Sequence, residues 1–306
     1  MTKSAYIISK PLQYFNVSNI EDDQLKVLFI INGFSTAKLF FEQVKKESLQ
    51  WNEVYFYDTY DQAFSFIHQN ADSFSKIFLD GDYSLSMLKN LYKLRDKKIF
   101  VYEEGVGTYT DQIRYVVNKN LFGNVSISKK LKTYFTCQIL ACFGQKNYHG
   151  GSSFTDAVYV YDQKKHQQNK PHFKKELKKF KKSFLQHLTE FEERSILSED
   201  YSEVLSALTG SEVVLYLTSW SIDPDVRNIL QDYEGCKKII KPHPHIADKA
   251  INDIRPDFDY VLPGGNMVEF LINDLCAVVS HLYVVHHNSG ALLYFKNHAK
   301  ITEVRI

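Results

Sequence analysis

Residues 76–105 read "KIFLDGDYSLSMLKNLYKLRDKKIFVYEEG". Lys76–Leu79 has strand character and breaks on Asp80-Gly81-Asp82. A helical-period segment follows at Ser84–Arg95, and Lys98–Tyr102 returns to strand character before ending on Glu103-Glu104-Gly105. Apolar strands bounded by turn residues and joined through a helix are the parts of a parallel sheet buried on both faces. Upstream the theme repeats, with strands predicted at Ala5–Ser9, Val27–Ile31 and Val54–Tyr57 and helices at Ala37–Glu47 and Ala63–Asn70. A further strand, Ala157–Tyr161, follows Gly150-Gly151 and closes the unit. The alternation predicts an α/β domain.

The composition then changes. Lys164–Leu188 is dense in lysine and poor in acids. Phe173, Leu177, Phe180, Phe184, Leu185 and Leu188 recur every three to four positions there, which predicts a basic amphipathic helix. Two readings stand for it: a solvated face on a linker, or peripheral attraction to anionic lipid head groups. Strands are predicted again at Val213–Leu217, Lys237–Lys241, Tyr260–Leu262, Ala277–Ser280 and Ile301–Val304. Helices are predicted at Asp225–Tyr233, at Asn266–Leu275 and within His281–Asn297. The organisation expected is a Rossmann-like domain over 1–165, a linker helix over 166–190 and a smaller Rossmann-like domain over 191–306. Two such domains facing across a cleft describe the GT-B architecture of many glycosyltransferases and some sugar epimerases.

Bulk properties narrow the class. The chain has 306 residues, 44% apolar and 24% charged, as in soluble globular proteins. A formal charge of +1 argues against a dedicated nucleic-acid binder. Cys137, Cys142, Cys236 and Cys276 form no Cys-x-x-Cys pair and read as buried thiols. The N-terminal residues read as a first strand, and no run reaches the roughly 20 apolar residues of a membrane span. The expected location is cytoplasmic, with the lysine-rich segment allowing a peripheral place at the inner membrane face. There is no Gly-x-Gly-x-x-Gly after the first strand, no Walker loop and no Gly-x-Ser-x-Gly elbow, which disfavours dehydrogenases, P-loop enzymes and α/β-hydrolases.

Three motifs stand where chemistry is kept. Ligands of open parallel sheets bind beyond the carboxyl ends of the strands, and Glu103-Glu104-Gly105 lies at one. A carboxylate there is a candidate general base, or else a helix cap or solvated loop residue. Lys241-Pro242-His243-Pro244-His245 fixes an imidazole and an ammonium on a stiff proline platform suited to phosphate. Ser280, expected to end a strand and open a helix, is a candidate anion site or a plain cap, and Ser289 in "HHNSGALL" is a second helix-start candidate.

Taken in order, these motifs resemble those of the bacterial sialyltransferases: an acidic Asp/Glu-Asp/Glu-Gly motif, a His-Pro motif and a Ser/Thr motif. "VYEEGVGTY" is similar to the first, "KPHP" to the second, and "VEFLIN…AVVSHLY" to the glutamate helix and serine motif, with His281 where many members carry a second Ser or Thr. "IISKPLQYFN" is similar to their first strand and loop. The resemblance implies a CMP-sialic acid donor, inversion without a divalent metal or other cofactor, and a glycan acceptor, lipid-linked if the enzyme works at the membrane face. It implies Glu103 as the base toward a terminal sugar hydroxyl such as that of galactose, with Glu104 and Gly105 shaping the loop or touching the acceptor. It further implies His243, helped by Lys241 and Pro244, at the leaving phosphate, Glu269 on the ribose hydroxyls, and Ser280 and His281 on the phosphate, with Ser289 in reserve. Other CMP-linked nonulosonic acids or Kdo would need nearly the same residues. A UDP-sugar epimerase of the same architecture and a glycan-binding protein without turnover are the other readings.

Overall fold

The computed structural model describes residues 2–34, 36–110, 120–122, 125–142, 149–198, 200–243, 246–264, 267–296 and 298–306. The chain divides into two compact units, Met1–Ser183 and Phe184–Ile306. Each is a parallel sheet with helices, the α/β class that the strand–helix alternation predicts.

The first unit runs β1 (Lys3–Ile8), α1 (Pro11–Ser18), β2 (Leu25–Ile31), α2 (Ala37–Glu47), β3 (Glu53–Tyr57), α3 (Tyr60–Gln69), β4 (Phe74–Leu79), α4 (Leu85–Lys93) and β5 (Lys98–Tyr102). It continues through α5 (Ile127–Cys142), β6 (Ala157–Val160), α6 (Gln163–Asn169) and β7 (Glu176–Lys179). The seven strands lie in the order β3-β2-β1-β4-β5-β6-β7. The order reverses between β1 and β4, so the chain leaves the sheet in opposite directions there and opens a crevice beyond the strand ends.

Period-two side chains build the core. Ala5, Ile7, Val27, Phe29 and Ile31 pack with Ala63, Phe64 and Ile67 of α3 and Leu91 of α4. On neighbouring strands Tyr6 and Phe78 are register partners whose rings stack at 4.4 Å. Local signals place the helices. Pro11 opens α1, where a missing N–H costs nothing. Thr59 and Gln62 form a capping box on α3, and Ser84 accepts from Met87 N at the start of α4. Gly150 has φ +77°, and a Cβ there would meet Val158 Cγ2 at 2.2 Å, so only glycine fits the turn into β6.

The second unit opens with α7 (Phe184–Glu190), α8 (Arg194–Leu197) and α9 (Ser202–Ala207). It goes on through β8 (Glu212–Leu217), α10 (Val226–Gln231), β9 (Lys237–Lys241), α11 (Asp248–Ile254), β10 (Tyr260–Val261), α12 (Val268–Val278), β11 (His281–His286) and β12 (Ile301–Arg305). Its sheet order, β10-β9-β8-β11-β12, repeats the reversal of the first, here between β8 and β11. Val214, Tyr216, Ile240 and Val285 form its core against Leu230 of α10 and Ile251 and Ile254 of α11.

Two sequence expectations are corrected. The lysine-rich segment is not one helix: it forms α6, the edge strand β7 and α7. Pro171 lacks an N–H and biases Lys170 away from helical ψ, so α6 ends at Asn169. The apolar residues that suggested one stripe are shared out: Phe180 stacks on Tyr161 at 4.1 Å, while Phe184 stacks on Tyr294 in the second unit. Near the other end, Ala277 and Val278 finish α12, and the strand is the next run, "HLYVVH". Val284 and Val285 are fully buried in the centre of the sheet, so tertiary burial places the strand where two β-branched runs competed.

Candidate functional site

At the carboxyl edge of the first sheet, β5 delivers the two glutamates to opposite environments. Glu103 is fully buried. Its Oε2 accepts from the Tyr109 hydroxyl and from Tyr161 N at 2.8 Å, and its own carbonyl accepts from Asn16 Nδ2 at 2.7 Å. The side chain therefore ties the acidic loop to the end of β6. Glu104 is half-exposed, with Lys10 Nζ 3.6 Å from Oε2, and it lines a cavity of about 460 Å3. The loop that separates the pair turns on Gly105, whose φ of +110° would strain a side chain although a Cβ would have room. Lys170 secures the same loop by donating to Thr108 O at 2.7 Å, so one lysine of the basic segment is buried and structural.

Other strand ends complete this cavity. Asp80 follows β4, at the point where the strand order reverses. Its Oδ2 accepts from Gln13 Nε2 at 2.9 Å, from Ser9 Oγ at 3.2 Å and from the Tyr60 hydroxyl. Burial raises the Asp80 pKa; the Tyr60 bond opposes this and the Glu104 charge adds to it. His149 Nε2 donates to Tyr102 O at 2.9 Å, which fixes the ring's orientation. The ring packs over Gly81 on the cavity wall. Asp80, Glu104 and His149 thus line one cavity, together with Asp61, which accepts from Ser86 Oγ and Asn90 Nδ2. Asp82, the last residue of Asp80-Gly81-Asp82, accepts from Gly150 N, Ser152 N and Thr155 Oγ1 and is fully buried.

The second unit gathers a cationic group at the corresponding edge of its own sheet. Lys241 ends β9, is buried, and donates from Nζ to Gly264 O at 2.7 Å and Pro242 O at 3.3 Å. Glu269, in the first turn of α12, is buried, and desolvation lifts its pKa to about 7, with the Lys241 charge pulling back. His243 donates its backbone N–H to Thr218 Oγ1 at 2.7 Å, and its ring stacks on exposed Trp220 with centroids 5.0 Å apart. Beyond β11, Asn288 N and Ser289 N both donate to His286 Nδ1, at 3.0 and 2.8 Å, which leaves Nε2–H for Glu303. The buried ring is a template for the turn that presents Ser289, and it holds Asn288 at φ +107°.

The structure brings Lys241, His243 and Ser289 to the carboxyl edge of this sheet and pairs Lys241 electrostatically with Glu269. It does not bring Ser280 and His281 there. Ser280 N bonds Ser211 O ahead of β8, and His281 begins β11, so both lie at the amino edge. Pro244 lies outside the described residues. The sequence reading missed Asp80, His149, Tyr60, Thr218 and Trp220. Only Asp80 carried a signal, as the turn residue directly after a predicted strand.

Glu269 gives a test of this electrostatic picture. Its raised pKa means that the buried acid supports the fold fully below about pH 4.5, and this support is lost as the pH rises to about 7. Relative to Glu269→Gln, the stability of the unmodified chain is expected to fall by about 3 kcal/mol across that window and then stay level. Urea unfolding of both proteins as a function of pH measures it; parallel curves would place Glu269 in contact with water.

The two reversing parallel sheets define a GT-B fold. Among solved structures, the chain is similar to a Listeria monocytogenes protein assigned as a UDP-N-acetylglucosamine 2-epimerase, with a TM-score of 0.55 and 10% identity over 94% of this chain and 75% of that one. It is also similar to S. aureus MnaA in complex with UDP, with a TM-score of 0.52 and 9% identity over 95% and 75% of the two chains. No protein-family model and no curated protein sequence matches it.

Proposed function

We propose that this chain is a glycosyltransferase that takes a sugar from a nucleotide donor and passes it to a sugar hydroxyl. The observation that carries this reading is a division of labour. The acid–base groups Asp80, Glu104 and His149 belong to the first unit, and the phosphate-type groups Lys241, His243 and Ser289 belong to the second. Transfer between two substrates needs a base on the acceptor hydroxyl and charge stabilisation on the leaving phosphate. Glu104 is the base, because Glu103 is occupied and buried. His243 and Lys241 stabilise the leaving group, Ser289 replaces Ser280 at the phosphate, and Glu269 takes the ribose hydroxyls. The Glu-Glu-Gly and Lys-Pro-His motifs support CMP-sialic acid, or another CMP-linked acidic sugar, as donor and a glycan as acceptor.

A second reading, epimerisation of a UDP-sugar, has its own support. Several acid–base side chains in one cavity, Asp80, Glu104 and His149 among them, suit removal and return of a proton on a single sugar, and MnaA binds UDP on a similar fold. One experiment separates the two. The purified chain is incubated with CMP-sialic acid or UDP-N-acetylglucosamine, with and without lactose-type acceptors, and nucleotide release and sugar configuration are followed. Acceptor-dependent CMP release is the expected result. A changed UDP-sugar epimer without an acceptor establishes the second reading, and no turnover with no thermal shift by CMP or UDP overturns both.

A further inference from the structure

Helix α5 is turned inside out. Ile127, Leu131, Tyr134, Phe135 and Ile139 fall on one side of its 16 residues and are all exposed, Ile127 by 77% and Phe135 by 61%. The side facing α4 carries half-buried Lys130, Thr133 and Thr136, with Leu140 the buried anchor. A surface helix normally shows the reverse, because its apolar stripe goes to the core. An exposed stripe of this length, holding two aromatics, marks a surface that something covers. Ahead of the helix in the chain, Phe122 is 83% exposed as well.

We propose that α5 docks the protein on an anionic lipid surface, with Leu131, Tyr134 and Phe135 entering the head-group boundary and Lys132, at the border of the stripe, meeting the head groups within the positive field that Lys129 and Lys130 add. Charge selects this occupant. The helix carries Lys129, Lys130 and Lys132 and no acid, so a second copy packed on the same stripe would bring no carboxylate to meet them. An anionic bilayer meets both the apolar stripe and the positive charge of the helix, with Lys132 at the stripe's border. The lysine-rich segment does not supply the inserting face, since its Phe180, Phe184 and Leu188 are buried. Among the described residues no helix is long and apolar enough to cross a membrane, so the contact is peripheral. The inference stands whichever sugar is moved.

The test is flotation of the full chain with phosphatidylcholine vesicles, with and without phosphatidylglycerol. Binding is expected only to the anionic vesicles and is expected to weaken with salt. Leu131→Ser with Phe135→Ser, and separately Lys129→Glu with Lys132→Glu, are each expected to lower it about tenfold or more, with melting temperatures unchanged because the positions are exposed. A Phe135→Trp variant reports entry directly, through a blue shift of its fluorescence on adding vesicles. No flotation with anionic vesicles, or flotation untouched by both double variants, overturns the proposal. So does a dimer in light scattering that Leu131→Ser with Phe135→Ser dissociates, since the face would then belong to a second copy.

Discussion

Glu104→Gln is expected to cut turnover by about 10²- to 10⁴-fold, the range over which a positioned general base acts. Glu104 is half-exposed on the cavity wall and has Lys10 Nζ at 3.6 Å, so the amide is accommodated with little change in melting temperature. Glu103→Ala is expected to behave differently. It leaves the Tyr109 hydroxyl and Tyr161 N–H without their carboxylate, which costs about 1–3 kcal/mol for each buried group left unsatisfied. Its activity loss is expected to follow the loss of folded protein, whereas that of Glu104→Gln does not. Initial rates and thermal melts of both variants decide the matter. A folded Glu103→Ala without turnover beside an active Glu104→Gln would return the base to Glu103.

Lys241→Met is the second large effect. Replacing the ammonium by a methylene-rich neutral chain keeps the volume and removes the charge. A charged hydrogen bond to phosphate is worth about 1.5–3 kcal/mol, so nucleotide affinity is expected to fall by about 10- to 200-fold. Glu269, deprived of its opposing charge, is expected to hold its proton to a pH above 7. His243→Ala is expected to split from it: affinity falls little, while the rate constant drops, because a group serving the departing phosphate acts mainly in the transition state. Calorimetric titration with CMP and UDP, beside steady-state kinetics, separates the two. Equal affinities in Lys241→Met and the unmodified chain would remove Lys241 from the nucleotide site.

What could be read from the sequence follows from what is local. Strands such as Val27–Ile31 and Lys237–Lys241 stand out because both faces are buried and the runs are bounded by turn residues. Helix α2 is legible to the residue because its apolar positions repeat with the helical period. The lysine-rich segment misleads because lysine stems and scattered phenylalanines satisfy a helical period while Pro171, β6 and two separate aromatic stacks decide its course. The site divides in the same way. Glu104, Lys241, His243, Glu269 and Ser289 sit in local motifs. Which of two adjacent glutamates faces the cavity depends on Tyr109 and Tyr161, and the environment of Asp80 depends on Ser9 and Tyr60, contacts made only in the fold. The Ser280 assignment failed because it rested on a strand boundary, and moving that boundary carries the serine to the other end of the sheet.

The seven-stranded sheet ends at β7, whose sequence is Glu-Leu-Lys-Lys. A last strand offers a row of unpaired amides and carbonyls to any other extended chain. Here the strand carries Lys178, whose ammonium lies over the Phe100 ring, and exposed Lys179, so a second copy of this strand approaching it would have to bring ammonium groups together out of water. The lysine density that first suggested a ligand thus has a quieter use: it keeps concentrated copies of this protein from growing into one another edge to edge.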